Sequence, residues 1–465
     1  MWFQSGRSYH GHYILNVLPY QFHMSPRLQK APVESTPAKP SVPNGGPHKA
    51  PVNRSEKLLE AMGLRRSIVG ILCMAVLVGM GERMSERFLP IYLVALGSGM
   101  LWPGFLNAIN NLVSALYSFP GGWLAERIGP KRSLLVFNLM AIAGFALVAA
   151  IPKWQAVVAG SFLFLSWSAI SLPGTMGLVS KALPKAKHVM GVTMHSLVRR
   201  FPMALGPIVG GIFIDRYGPI NGVRLAFGAA ILMASVALVA QQILIEDDKK
   251  SATPLELENN PLKLVKGFAP ALRNLLVSDI LIRFCEQIPY AYVVLWCMAS
   301  VPGQTTARIT ATQFGELTGI EMLTAVLCYI PVARLADRAG KKPFVVITFI
   351  NFACFPLVLY FCHSFTALII AFIVRGLKEF GEPTRKALIM HLAPEDRKAA
   401  AFGAYYLCRD TIVCLSAFAG AFLWKAGPEA NFMTAFAFGV IGAIWFAAKG
   451  RDDIGQPLQT SAVRT

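Results

Sequence analysis

The chain has 465 residues, 54% of them hydrophobic and 15% charged, with a formal net charge of +19. Apolar blocks of about 20 residues, separated by short charged or Gly/Pro connectors, leave no soluble domain of useful size and set the chain in the polytopic membrane class. The surplus of Lys and Arg is tested first against the positive-inside rule, and no nucleic-acid partner is expected.

Residues 1–66 are polar and proline-rich, as in KAPVESTPAKPSVPNGGPHKAPVN (30–53). That composition buries too little apolar surface to fold alone, so a disordered tail is expected. No continuous apolar run of signal-peptide type precedes residue 67, and a start at Met24 in place of Met1 would remove the odd segment 1–23. Twelve spans are then predicted, at about 67–96, 102–125, 132–152, 155–181, 188–214, 222–244, 273–299, 312–336, 343–362, 365–391, 397–424 and 430–448. They group into an all-α protein of two six-helix halves, 67–246 and 273–449, with a linker at 247–272 and a C-terminal tail at 450–465. Arg127, Lys131, Arg132, Lys181, Lys185, Lys187, Lys263, Lys266, Arg338, Lys341, Lys342, Arg397 and Lys398 fall on one side of these spans. Both termini are therefore expected on the cytoplasmic face of a bacterial-type membrane, in a monomer whose partners are the lipid bilayer, a small solute and protons.

The eight cysteines all lie inside spans with no metal-ligand or redox spacing, and the chain has no G-x-x-x-x-G-K-[ST] loop. No metal, cofactor, catalytic residue or enzymatic reaction is expected.

A shift of about 210 residues lines up unusual positions. PGGWLAERIGPKR (120–132) pairs with PVARLADRAGKKP (331–343), SFLFLSWSAISLPGTMGLVSKALP (161–184) with AFIVRGLKEFGEPTRKALIMHLAP (371–394), and RMSERFLP (83–90) with RFCEQIP (283–289). The halves are a duplication. GGWLAERIGPKR (121–132) resembles the loop signature G-x-L-A-D-R-x-G-R-K of the major facilitator superfamily, and ARLADRAGKK (333–342) is its second copy. The resemblance covers about residues 67–449, with Glu126 for Asp, an extra Pro130 and Ala333 for Gly as departures. It implies alternating access between two halves and a conformational latch at Gly122, Glu126, Arg127, Gly129, Asp337, Arg338 and Gly340. Gly129 and Gly340 are expected to take a left-handed turn ending a helix. LGPIVGG (205–211) is similar to the G-P-x-x-G-G motif of exporters in the superfamily, which implies helix sliding at Gly206, Pro207, Gly210 and Gly211. Glycine pairs in membrane helices also serve plain packing.

Charge inside the spans points to the site. A charge facing lipid costs about 2.5–3.5 kcal/mol at a helix centre, so the six in VRGLKEFGEPTRKAL (374–388) must face protein or water, and helical spacing puts them on one stripe. Nine further-buried bases (Arg83, Arg87, Arg199, Arg200, Arg283, Arg375, Lys378, Arg385, Arg409) stand against seven acids (Glu82, Glu86, Glu286, Glu321, Glu379, Glu382, Asp410). In the superfamily the charged spans are those lining the cavity, while spans 3, 6, 9 and 12 have almost uncharged interiors. The cationic surplus favours an anionic solute. Arg83, Arg283, Arg375, Lys378, Arg409, Asn107, Asn110 and Tyr405 are the expected solute contacts. Glu321, Glu86, Glu286 and His195 are the expected proton carriers, with Glu321 foremost because GIEMLT (319–324) holds no neighbouring base. Structural alternatives are the helical pairs Arg375 with Glu379 and Lys378 with Glu382, Arg83 with Glu86, Arg283 with Glu286, and Arg409 with Asp410, and for Glu321 a salt bridge to Arg375 or Arg409. The function expected is a secondary active transporter exporting or exchanging a small anionic organic solute against protons. Its rivals are a proton-coupled multidrug efflux pump and a non-transporting membrane receptor.

Overall fold

In hydrocarbon every backbone N–H and C=O must be satisfied inside its own segment, and these apolar runs do so as helices. The computed structural model describes residues 66–164, 198–245, 261–298, 309–394 and 398–452. In chain order the helices are α1 (Arg66–Glu86), α2 (Leu89–Ala95), α3 (Trp102–Ile128), α4 (Pro130–Ala150), α5 (Trp154–Phe164), α6 (Arg200–Leu244), α7 (Pro261–Lys266), α8 (Pro270–Gln287), α9 (Val293–Cys297), α10 (Ala311–Ala339), α11 (Lys342–Phe361), α12 (Phe365–Leu377), α13 (Glu382–Leu392), α14 (Lys398–Ala426) and α15 (Pro428–Lys449). Lys131–Ala150, Lys342–Phe361 and Pro428–Lys449 are among those long and apolar enough to cross a membrane. α6 holds spans 5 and 6 as two arms around Gly218, whose φ is +78°. The short helix α7 and the first turn of α8 lie inside the expected linker.

Among the described residues three spans are broken, and the first two breaks repeat the duplication. Span 1 ends α1 at Glu86 and restarts at Leu89, with Pro90 in the first turn of α2. Span 7 ends α8 at Gln287 and passes Pro289 into a 3₁₀ turn, Tyr290–Tyr292. The third break corrects the single stripe expected over 374–388. Residues 378–381 form a turn between α12 and α13, because Pro383 cannot continue a helical ladder. The Gly381 N–H donates instead to Thr348 Oγ1 at 2.7 Å.

The outward faces of spans 3, 6, 9 and 12 are bare hydrocarbon. Leu139 is 51% exposed, Leu232 67%, Ile347 43% and Ile444 62%, a surface that suits lipid and not water. The charges of the spans turn the other way. Arg375, Lys378, Glu321, Arg385 and Asp279 are all buried.

The halves close on each other at the end opposite the basic loops. A methyl group at Gly315 would stand 2.5 Å from the Pro207 carbonyl oxygen, and one at Gly211 would strike the Ala311 backbone, so α6 and α10 meet backbone to backbone. By the same duplication α3 meets α14: a methyl at Gly104 would lie 2.8 Å from Ala421 Cβ. Phe105 stacks on Phe418 at 4.8 Å, Phe88 meets Phe314 edge-on at 5.9 Å, and the Tyr292 hydroxyl donates to the Met100 carbonyl at 3.0 Å. Asp215, on the first arm of α6, completes the closure. Its two carboxylate oxygens accept the Ala311 and Thr312 N–H groups at 2.8 Å each, capping α10 across the seam.

At the basic end Gly129 and Gly340 have φ of +88° and +86° but extended ψ, of 152° and 162°. The expectation of a positive-φ glycine holds, but the conformation is the extended one open to glycine alone, in place of the left-handed helical turn. Asp452 Oδ2 accepts the Lys341 and Lys342 N–H groups at 2.9 Å each, so the chain after α15 is fastened to the loop of the second signature copy.

Candidate functional site

Glu321 on α10 is the centre of the site, and the structure forms the ion pair with Arg375 that was its structural alternative. It is not isolated from bases: Oε1 lies 3.3 Å from Arg375 Nε and 3.6 Å from Lys378 Nζ. Its other oxygen, Oε2, is buried and has no hydrogen-bond partner. Arg375 projects from α12 into an aromatic wall, 5.0 Å from the Phe355 ring and 5.5 Å from that of Phe372. Lys378, freed from the helix by the turn at 378–381, reaches back to Glu286 Oε1 at 2.7 Å. Glu286 also accepts from Arg283 at 2.5 Å. Spans 7, 8 and 10 are thus joined by one chain of alternating charges, whose mutual attraction offsets part of their desolvation.

A second cluster was missed in the sequence. Asp279, fully buried on α8, takes Arg385 at Oδ1, while its Oδ2 accepts from Arg409 at 3.3 Å and from the Tyr405 hydroxyl at 3.1 Å. Arg385 is held further by Glu382 at 2.6 Å, and Arg409 by Asp410 at 2.7 Å. Tyr405 and Arg409, expected as solute contacts, therefore serve this internal hub. Asp279 lies inside span 7, where an ionisable residue is always a signal, and its presence makes eight acids against the nine bases. The cationic surplus shrinks to one.

The i,i+4 pairs Arg375 with Glu379 and Lys378 with Glu382 do not form, because the turn at 378–381 breaks their register, whereas Glu382 and Lys386, both beyond it on α13, do pair, at 3.3 Å. Arg375 goes to Glu321, Lys378 to Glu286, and Glu379 receives Arg200 from α6 at 3.0 Å. The i,i+3 pairs do form, and symmetrically: Arg83 with Glu86 in the first half, Arg283 with Glu286 in the second. Arg283 also reaches Glu382 at 3.7 Å. Asn107 Nδ2 and Asn111 Nδ2 both donate to Gln287 Oε1 at 3.0 Å, a tie between the halves. Asn110 accepts from Ser114 Oγ at 3.4 Å.

Where these elements meet, a pocket encloses about 40 Å³, lined by Glu86, Arg87, Asn107, Asn110, Tyr290 and Arg375 together with Leu106, Val294 and Phe314. That volume holds a few waters and no larger solute in this conformation. Two of the expected sliding glycines sit against α1. A methyl at Gly206 would stand 2.7 Å from Arg83 Cβ, and one at Gly210 would run into the Met84 carbonyl. Pro207 lies within α6, whose carbonyl Gly315 approaches. His195 falls outside the described residues, as do the side chains of Glu126, Asp337 and Arg338 and the surroundings of Gly122; Arg127 is exposed at the basic end.

The sequence profile described as Major Facilitator Superfamily matches residues 71–305 and 290–464. Over 371 residues the chain is 22% identical to an uncharacterised MFS-type transporter of Methanocaldococcus jannaschii, covering 78% of this chain and 90% of that protein. It is 32% identical over 286 residues to the multidrug resistance protein MdtG of Salmonella paratyphi B, covering 59% of this chain and 67% of the relative. Among solved structures it superposes on the nucleoside transporter NupG with a TM-score of 0.70 at 12% identity, over 83% of this chain and all of the other. The duplicated halves, the charged seam and the family profile over most of the sequence agree: the chain is a multi-pass membrane protein belonging to the major facilitator superfamily.

Proposed function

We propose that this chain is a proton-coupled secondary transporter of a small organic anion, working by alternating access in a bacterial cytoplasmic membrane with both termini on the cytoplasmic side. The observation that carries the reading is Glu321, one oxygen engaged by Arg375 and Lys378 and the other buried and bare. While Glu321 is ionised it holds Arg375. A proton arriving at Oε2 cancels that attraction and leaves the guanidinium, which lines the pocket, free to take an anion. Proton and anion then bind in the same state of the protein, and this co-binding favours movement in one direction together over the exchange expected from the sequence. Glu286, tied to both Lys378 and Arg283, passes the change to span 7.

Purified protein in proteoliposomes with an imposed pH gradient tests this. Acid outside is expected to drive saturable uptake of an organic anion, and Glu321→Gln to cut the gradient-driven component by about tenfold while leaving downhill exchange of the anion intact. Uptake driven by acid inside would establish exchange in place of co-transport, and no effect of Glu321→Gln would remove it as the proton carrier. A second reading, multidrug efflux, is favoured by the likeness to MdtG. It predicts proton-driven movement of the lipophilic cation ethidium in the same vesicles, which the anion reading excludes.

A further inference from the structure

Among the nine bases Arg87 and Arg199 stand outside the described ion pairs, and of these two Arg87 lines the pocket. Among the described residues Arg83, Arg200, Arg283, Arg375, Lys378, Arg385 and Arg409 each have a carboxylate within ion-pair distance. Arg87 has none; its guanidinium lies over the Tyr290 ring, 5.3 Å from the centroid. Arg375 approaches the same ring, 6.0 Å from the centroid. Two guanidinia from different halves thus share one phenol at the wall of the pocket, with Asn107 and Asn110 alongside. Arg87 owes its place to the break in span 1: it lies between α1 and α2, so its side chain leaves the register that pairs Arg83 with Glu86.

Glu86 also lines the pocket, its carboxylate held by Arg83, and the rest of the lining differs in kind. Leu89, Pro90, Pro103, Leu106, Val293, Val294 and Phe314 make the remainder of the wall apolar. A fully hydrophilic polyanion or inorganic phosphate would leave that surface unmatched, whereas an organic acid with one anionic head and an apolar or aromatic body matches both parts.

We infer that Arg87 and Arg375, set about the Tyr290 ring, form the anion-binding subsite of the transported solute, and that this solute is an amphipathic organic acid whose apolar body lies against Leu106, Val294 and Phe314. The inference rests on the transport reading for the word solute, but not for the site. Arg87 is the permanent anchor and Arg375 the conditional one, available when Glu321 releases it. The pocket widens to admit the solute when the halves part at this end.

The test is thermal unfolding of the full-length protein in detergent with benzoate, its neutral isostere benzamide, and inorganic phosphate. Benzoate is expected to raise the midpoint at lower concentration than either of the others. Arg87→Gln is expected to raise the benzoate concentration for half-maximal stabilisation about tenfold or more, the usual consequence of removing a charged hydrogen-bond partner, and Arg87→Lys to recover part of the loss. Benzamide equal to benzoate would overturn the role of charge, phosphate superior to benzoate would overturn the amphipathic class, and an unchanged benzoate midpoint in Arg87→Gln would overturn the site. Should Arg87→Gln fail to fold, Asn110→Asp places a competing carboxylate in the same pocket. It is expected to weaken benzoate by a similar factor, and no weakening refutes the subsite. Proteoliposome flux separates the two readings: Arg87-dependent benzoate binding without flux sinks transport and leaves the subsite, while benzoate flux indifferent to Arg87→Gln sinks the subsite and leaves transport.

Discussion

A single carboxylate, Asp279, organises as much of the second half as the Glu321 cluster does. Its two oxygens serve Arg385, Arg409 and Tyr405 from spans 10 and 11. Replacing it by Asn removes the charge and keeps the shape, taking from two buried guanidinia the carboxylate they share and leaving them Glu382 and Asp410. Because breaking a buried ion pair costs about 3–5 kcal/mol, Asp279→Asn is expected to lower the thermal midpoint of the detergent-solubilised protein severely, while Asp410→Asn, whose partner Arg409 keeps Asp279, lowers it little. Equal midpoints for the two variants would contradict the hub. The residue scale is also where the sequence was least legible. Arg375, Lys378 and Glu321 were identifiable as buried because charge in an apolar span has nowhere else to go. Their partners were not, since ion pairing depends on which helices face each other and on the turn at 378–381. Asp279 was overlooked against an apolar run, although its position inside span 7 was the same kind of signal.

The helices themselves were readable from periodicity and length, and the duplication supplied their order. Breaks at Pro90 and Pro289 repeat between the halves, so the paired segments RMSERFLP and RFCEQIP mark the same bend twice. What no alignment of segments within the chain could give is how near the helices approach. Gly210 lies against the Met84 carbonyl of α1, and its counterpart Gly420 against the Ile288 carbonyl beyond α8. Valine at either position must push two backbones apart, so Gly210→Val and Gly420→Val are each expected to destabilise by about 1–3 kcal/mol or more, read as a lowered thermal midpoint. Gly228→Ala, with nothing near the added methyl, is the neutral comparison. If Gly210→Val unfolds at the temperature of Gly228→Ala, the backbone contact is absent in solution.

At the scale of the molecule, bare hydrocarbon faces outward on spans 3, 6, 9 and 12, the ionisable groups face inward, and the seam between halves is sealed at the end where Asp215 caps α10. The most direct measurement of that arrangement is thiol labelling in a chain whose eight native cysteines have been replaced. Asn110→Cys in the pocket and Leu232→Cys on the outer face are each exposed in proteoliposomes to a charged, water-soluble thiol reagent and to a lipophilic maleimide. The account predicts that Asn110→Cys reacts with the charged reagent, faster once Asp215→Ala opens the capped end, and that Leu232→Cys reacts with the lipophilic one alone. Labelling of Leu232→Cys by the charged reagent, with Asn110→Cys inert to it even beside Asp215→Ala, would contradict a watery passage between the halves.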